Sequence, residues 1–161
     1  MSPIYYRISK YPATLRREII ETQIHKAFAL WQAATSGISF EFQNSPHGKV
    51  HIDIKFVKTE HGDEEPFDGP GNTTAHAFFP SYGGDIHLDE QELWTVDKFY
   101  GVNLFQVLVH EIGHAIGLEH SDVPGSVMAP YYTNYRPGFG LHSDDIAAIR
   151  VSLSLSVNTQ I

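Results

Sequence analysis

The chain carries the stretch HEIGHAIGLEH at His110–His120, which is its most informative segment. If this stretch begins as a helix, His110 and His114 lie one turn apart on the same face, the separation that two ligands of one zinc ion require. Gly117 can adopt a left-handed backbone at little cost, so we expect the helix to end there and the chain to turn back. His120 would then be a third nitrogen ligand and would leave the fourth zinc position to water.

Glu111 follows the first of these histidines and is the candidate catalytic residue. A zinc ion bound by three neutral imidazoles would lower the pKa of a bound water and polarise an amide carbonyl. Glu111 could accept the proton of that water and return it to the leaving amine as a general acid. A single histidine on a helix is more often structural than a ligand, but the complete spacing favours a zinc site.

The composition excludes several other classes of protein. With 161 residues, 42% of them hydrophobic, the chain can form a buried core, and we predict one domain over residues 1–161. The net charge of −8 and the lack of a Lys/Arg cluster argue against nucleic acid as a partner. No apolar run approaches 18 residues, and the first residues carry no signal-peptide core. The absence of cysteine rules out disulfides and thiolate zinc sites, whereas ten histidines need a role.

Hydrophobic periodicity predicts a mixed α and β fold. The predicted elements are an extended segment at Tyr5–Ser9, an amphipathic helix at Leu15–Ala34, strands at Ile38–Phe42 and Val50–Phe56 that should share a sheet, short extended segments at Thr74–Phe79 and Asp85–Leu88, a helix at Asn103–Ile116 with Asn103 as its N-cap, and a helix at Asp144–Val151 with Ser143 as its cap. Between the strands and the second helix, residues 61–92 are rich in Gly, Pro, Asp and His. A loop of this length usually has a function or an internal cross-link.

Several motifs resemble those of one protease family. His110–His120 is similar to the zinc signature of the metzincin peptidases, and Ser126–Pro130 resembles their Met-turn, the tight turn beneath the metal, with Met128 as its methionine. Ser121, directly after the third histidine, resembles the matrix metalloproteinases, or matrixins, in particular. Further matching motifs are Tyr6–Ile8, His61–Asp63, Pro66–Gly71, Ala75–Phe78, Asp85–Thr95 and Met128–Tyr132.

The resemblance implies the metzincin fold, an α+β architecture. It has a twisted, mostly parallel five-stranded sheet, three helices, and an active-site cleft between an upper and a small lower subdomain. The implied activity is that of a metalloendopeptidase, which cleaves extracellular matrix or other secreted or cell-surface proteins and prefers a hydrophobic P1′ residue. The implied cofactors are two zinc ions and at least one calcium ion. Extended peptide or protein substrates, inhibitors of the tissue-inhibitor or hydroxamate type, a monomeric state and an extracellular location are also expected.

By the same resemblance, the second zinc is structural and is held by His61, Asp63, His76 and His87. Four nitrogen and oxygen ligands with no open position form a closed tetrahedral site, which contributes to folding rather than to catalysis. The alternative is that these are ordinary histidines of a polar loop.

The calcium ligands implied by the resemblance are all oxygen atoms, as a hard cation requires. They are the carboxylates of Asp68, Asp89 and Glu92 and the backbone carbonyls of Gly69, Gly71 and Thr73. Alternatively, Asp89 and Glu92 belong to a solvated charged edge.

The substrate-binding residues are also implied by the resemblance. An extended peptide is expected to pair with an edge strand that includes Ala75 and Ala77, and Pro130 and Tyr132 are expected to line the S1′ pocket. Gln106 lies four residues before His110, where it either lines this pocket or is an exposed helix residue.

Two other functions remain open from the sequence. One is a binding module stabilised by zinc and calcium that never cleaves its ligand, although an intact Glu111 argues against it. The other is a zinc hydrolase with a non-peptide substrate, which the edge strand and the Met-turn make less favourable.

Overall fold

The secondary structure alternates between strands and helices along the chain. Residues 3–35 and 37–158 are described by the computed structural model, so the predicted domain 1–161 also includes residues 1–2, 36 and 159–161, which lie outside the described residues. The elements are β1 (Ile4–Lys10), α1 (Arg17–Ala34), β2 (Phe40–Phe42), β3 (Ile52–Val57), β4 (Ala75–Ala77), a 3-10 turn (Pro80–Tyr82), β5 (Ile86–Asp89), β6 (Trp94–Thr95), β7 (Val102–Asn103), α2 (Leu104–Ala115) and α3 (Ser143–Asn158).

The main sheet has five strands in the order β2-β1-β3-β5-β4. Strand β1 pairs in parallel with β2 and β3, β3 pairs in parallel with β5, and β4 is the antiparallel edge strand. The prediction of a mostly parallel five-stranded sheet with three helices is therefore confirmed. The two strands predicted from alternation do share this sheet, but β1 lies between them and its backbone pairs with both.

Helix α1 packs one apolar face onto the rest of the core. Ile20, Ile24, Phe28 and Trp31 are all buried, as their helical spacing predicts. The indole Nε1 of Trp31 donates to the carbonyl oxygen of Val109 at 2.9 Å, so α1 holds α2 directly beside the first histidine of the motif.

Helix α2 begins and ends as the sequence predicts. The side chain of Asn103 accepts a hydrogen bond from the backbone N–H of Gln106 at 3.0 Å, which satisfies one free donor of the first turn. The helix ends at Ala115, and Gly117 has a φ of +105°, where a side chain would be strained. This left-handed residue turns the chain back toward the helix and places His120 beside it.

The remaining elements differ from the predictions in detail. Helix α3 extends to Asn158, beyond the predicted end at Val151, and it starts at Ser143. The two-residue strands β6 and β7 form a separate parallel pair that the sequence did not reveal, because two residues are too few to show alternation. Among the described residues, no helix has both the length and the apolar character needed to cross a membrane.

Candidate active site

Three histidines meet at the end of α2. The ligand nitrogens of His110, His114 and His120 all lie within 4.8 Å of one another, and the Nε2 atoms of His110 and His114 are 3.1 Å apart. The helix supplies the first two and the turn at Gly117 supplies the third. The structure therefore brings together the three histidines that the sequence spacing predicted as ligands of one metal ion.

The hydrogen bonds of two of these rings show which nitrogen is free to bind a metal. Nδ1 of His110 lies 2.7 Å from the carbonyl oxygen of Val127, and Nδ1 of His114 lies 2.7 Å from that of Leu118. A carbonyl oxygen only accepts, so each ring carries its proton on Nδ1. The two Nε2 lone pairs then face each other at 3.1 Å. This arrangement is repulsive unless a cation lies between them, so the residues fit a bound metal ion.

Burial keeps two of these rings neutral. It lowers the pKa of His110 to about 4 and also lowers the pKa of His114, chiefly because the charged ring would lose its hydration. Near neutral pH both rings are therefore in the form that binds metal.

Glu111 is buried beside the histidines in the wall of the same cavity. Its side chain is nearly inaccessible, with a relative exposure of 7%, and burial raises its pKa to about 8. The carboxylate therefore holds a proton more readily than an exposed one. This property suits a group that must take up a proton and release it again.

A second cluster joins the long loop, at His61 and Asp63, to His76 of strand β4 and His87 of strand β5. The carboxylate Oδ2 of Asp63 lies 2.8 Å from Nε2 of His61, 2.8 Å from Nε2 of His76 and 2.7 Å from Nδ1 of His87. Together they are the four residues that the sequence indicates for a structural zinc. Burial alone would raise the pKa of Asp63, but the hydrogen bonds from His76, from the backbone N–H of Glu65 and from His87 lower it below its usual range.

The protons of this cluster also favour a cation. In the neutral ring of His61 that donates from Nδ1 to the carbonyl oxygen of Thr59 at 2.7 Å, Nε2 carries a lone pair. In that form Nε2 and the carboxylate oxygen of Asp63 are two acceptor atoms 2.8 Å apart. The donor set of three nitrogens and one carboxylate oxygen fits a closed zinc site.

A cleft of about 810 Å³ runs past the three histidines and Glu111. Edge strand β4 forms one wall, and α2 and the segment 125–139 form the other walls. All five predicted substrate-binding residues line it, namely Ala75, Ala77, Gln106, Pro130 and Tyr132. Strand β4 pairs on one side only, so its other edge can accept an extended peptide.

The comparison with known sequences identifies the family. The family model for matrixin matches residues 1–152. The chain belongs to the matrixin family. It is 43% identical over 150 residues to matrilysin of Mus musculus, 43% over 148 residues to the hatching enzyme of Paracentrotus lividus, and 42% over 155 residues to interstitial collagenase of Sus scrofa.

These matrixins are longer than the chain. The matches cover 91%, 92% and 95% of the chain but only 56%, 25% and 32% of the three relatives, respectively. The chain thus spans about half of matrilysin and a smaller part of the other two.

The carboxylates predicted to bind calcium meet near the turn at residues 68–71. Glu92 accepts from the backbone N–H of Gly71 at 2.7 Å, and burial and the nearby charges of Asp89 and Asp68 raise its pKa. Asp89 is completely buried, and its Oδ2 has no hydrogen-bond partner among the described residues. Such an oxygen is suited to bind a cation.

Of the three residues predicted to bind calcium through their backbone carbonyls, two lie at the turn beside Glu92 and the third lines the cleft. Gly69 and Gly71 have φ angles of +84° and +94°, which turn the chain sharply beside Glu92. Thr73 instead lies at the mouth of the cleft.

Gln106 is buried, so the alternative of an exposed helix residue is wrong. Its Nε2 donates to the carbonyl oxygens of Thr133 and Asn134 at 3.2 and 3.5 Å, and its Oε1 accepts from the backbone N–H of Arg136 at 2.7 Å. These contacts join the first turn of α2 to the loop that forms one wall of the cleft.

Two further contacts at the site were not predicted. The phenol oxygen of Tyr132 accepts from the backbone N–H of Asn103 at 2.8 Å, and the buried carboxylate of Asp145 accepts from the turn around Met128. Both join residues that are 17 or more positions apart, so no local pattern in the sequence could have revealed them.

Proposed function

We propose that the chain is the catalytic domain, residues 1–161, of a zinc-dependent endopeptidase that hydrolyses peptide bonds of extracellular matrix or other secreted or cell-surface proteins. The observation that carries this proposal is the convergence of three histidine nitrogens beside a buried glutamate in one open cleft. Similarity to interstitial collagenase and matrilysin supports the same class of activity.

His110, His114 and His120 would hold the catalytic zinc, and His61, Asp63, His76 and His87 the structural zinc. Zinc bound in the cleft would act as a Lewis acid, which activates water and polarises the carbonyl of the substrate amide. The closed second cluster would cross-link the long loop to β4 and β5, which contributes to folding.

Glu111 acts as general base and then as general acid. Its carboxylate accepts the proton of the attacking water. The same oxygen then donates the proton to the nitrogen of the leaving amine. One carboxylate thereby performs both proton transfers of peptide hydrolysis.

The substrate binds as an extended strand along β4, with Ala75 and Ala77 beside it. Gln106, Pro130 and Tyr132 shape the S1′ pocket, which favours a hydrophobic P1′ side chain. Asp68, Asp89 and Glu92, with carbonyls of Gly69, Gly71 and Thr73, bind one calcium ion.

The partners proposed for the chain are extended protein substrates and inhibitors of the tissue-inhibitor or hydroxamate type, and the chain acts as an extracellular monomer. The names of the relatives macrophage metalloelastase and interstitial collagenase fit substrates of the extracellular matrix.

A cleavage assay tests this function against its alternative. A quenched fluorescent peptide with Leu at P1′ is incubated with the zinc-loaded chain, with and without a zinc chelator. Cleavage that the chelator abolishes supports the peptidase. Tight binding of the peptide without cleavage would instead favour the alternative, a catalytically silent binding module stabilised by metals.

A further inference from the structure

The turn around Met128 contains a chain of hydrogen bonds that ends at a proposed zinc ligand. It starts at Asp145, which lies in the first turn of α3 and has a relative exposure of 1%. Its Oδ1 accepts from the hydroxyl of Ser126 at 2.5 Å. Its Oδ2 accepts from the backbone N–H of Val127 at 3.0 Å and from that of His142 at 2.7 Å. The carboxylate is therefore held between α3 and the turn.

Ser126 extends this series of hydrogen bonds to the peptide group between Val127 and Met128. The oxygen of its hydroxyl accepts from the backbone N–H of Met128 at 3.0 Å, which is closer than the direct contact of the same N–H with Oδ1 of Asp145 at 3.3 Å. That N–H and the carbonyl of Val127 belong to one planar peptide unit, so a bond made at the N–H also orients the carbonyl. The carbonyl oxygen of Val127 lies 2.7 Å from Nδ1 of His110. Ser126, Val127 and Met128 are all buried, so water does not compete for these contacts.

We propose that Ser126 is a positioning residue for His110. Its hydroxyl, oriented by Asp145, fixes and polarises the Val127–Met128 peptide group, which in turn holds the proton of His110 on Nδ1 and directs Nε2 toward the metal. This inference rests on the proposed role of His110 as a zinc ligand.

The physical basis is cooperativity between successive hydrogen bonds. A hydroxyl that donates to a carboxylate becomes a better acceptor, and a peptide whose N–H is engaged becomes a better acceptor at its carbonyl. Metal-binding histidines commonly donate their second ring N–H to a carboxylate or a carbonyl, and the loss of such a partner weakens metal binding about 10- to 100-fold. Here the carboxylate acts through a hydroxyl and a peptide group.

The test uses the zinc-loaded chain and the variant Ser126→Ala. The variant loses the hydroxyl while the bond between the N–H of Val127 and Asp145 is retained. In nitrogen-15 NMR spectra, the Nδ1–H proton of His110 should shift upfield and exchange faster with water because its hydrogen bond weakens. The rate of zinc loss from this site to a chelator should rise about tenfold. Ser126→Thr, which keeps a hydroxyl, should restore both values.

Two controls separate positioning from general stability. Ser121→Ala removes a similar bond to the first turn of α3, from Ser121 Oγ to Asp144 Oδ2 at 2.6 Å, together with the bond that Oγ accepts from the backbone N–H of Val123 at 3.1 Å, and neither bond involves the peptide that contacts His110. The Nδ1–H of His114, which donates to Leu118, is an internal reference. In Ser121→Ala, the His110 signal and the rate of zinc loss should equal those of the unmodified chain. In Ser126→Ala, the His114 signal should not shift.

The inference is overturned if Ser126→Ala lowers only the unfolding temperature and leaves the His110 signal and the zinc loss rate unchanged. It is equally overturned if Ser121→Ala has the same effect as Ser126→Ala. Failure of the proposed function would look different, because the unmodified, zinc-loaded chain would then not cleave the quenched peptide.

Discussion

The positions of a few ring protons decide what the two histidine clusters can bind. His61, His110 and His114 each direct Nδ1 at a backbone carbonyl oxygen, so in the neutral rings the opposite nitrogen carries a lone pair. A bound cation would relieve the resulting repulsion in both clusters. Spacing predicted that His110 and His114 share a helix face, and the family resemblance indicated the second cluster, but neither could predict these carbonyl partners.

Replacing Glu111 by Gln should separate binding from catalysis. The variant keeps the shape of the side chain but cannot accept a proton, so kcat on the quenched peptide should fall at least about 100-fold. Zinc content, measured by atomic emission, and the unfolding temperature should stay close to those of the unmodified chain. Glu41→Gln, at an exposed position of β2, is the control and should cleave normally. Normal turnover of Glu111→Gln would remove Glu111 from the mechanism.

The substitution Gln106→Leu should change the choice of P1′ side chain. It removes the hydrogen bonds to Thr133, Asn134 and Arg136 and puts an apolar group in the wall of the cleft. The unfolding free energy should fall by about 1–3 kcal/mol because backbone groups lose their partner. Cleavage of a peptide library that varies only at P1′ provides the measurement. An unchanged profile in a folded variant would show that Gln106 does not shape the pocket.

At the scale of the elements, helix α2 joins three parts of the site. Its first turn holds the loop of residues 133–136, its middle contacts α1, and its last turns carry His110 and His114. Hydrophobic spacing and capping predicted its bounds well because those signals are local. By contrast, the position of β1 between β2 and β3 depends on pairing between distant segments, which periodicity cannot reveal.

Gly113 is needed where α2 crosses the Met-turn. A Cβ atom there would lie 2.3 Å from Sδ of Met128 and 3.1 Å from Cζ2 of Trp31. Gly113→Ala should therefore lower the unfolding free energy by about 1–3 kcal/mol, despite the better helix propensity of alanine. Urea denaturation monitored by tryptophan fluorescence measures the change. The matched control is Gly140→Ala, whose Cβ would have no atom closer than 4.0 Å and which should be nearly neutral.

At the scale of the whole molecule, residues 61–92 contribute strands β4 and β5 to the sheet and bury the apolar side chains of Phe67, Ile86 and Leu88. The rest of this segment is joined by polar groups, namely the cluster around Asp63 and the carboxylates around Glu92. The resemblance to matrixins indicated these residues, whereas composition and periodicity alone showed only a polar loop. We expect bound metal ions to provide part of the stability of this segment.

Calcium should stabilise the folded protein through this loop. With zinc retained, added calcium should raise the unfolding temperature in a concentration-dependent way, because it binds only the folded state. Glu92→Gln should abolish this increase, since it removes a carboxylate beside the unpartnered Oδ2 of Asp89. Differential scanning calorimetry is the measurement, and Glu90→Gln is the neighbouring control. An equal calcium response in Glu92→Gln would refute this site.

The contacts of Gln106 have a consequence for how such a protease can diversify. They reach only backbone atoms of the loop, at Thr133, Asn134 and Arg136, so the side chains at these positions can change without loss of the anchor. Selection on this loop can therefore alter which peptide bond is cut while the zinc ligands stay in place. In evolutionary terms, the selectivity and the chemistry of the site are separate modules on one helix.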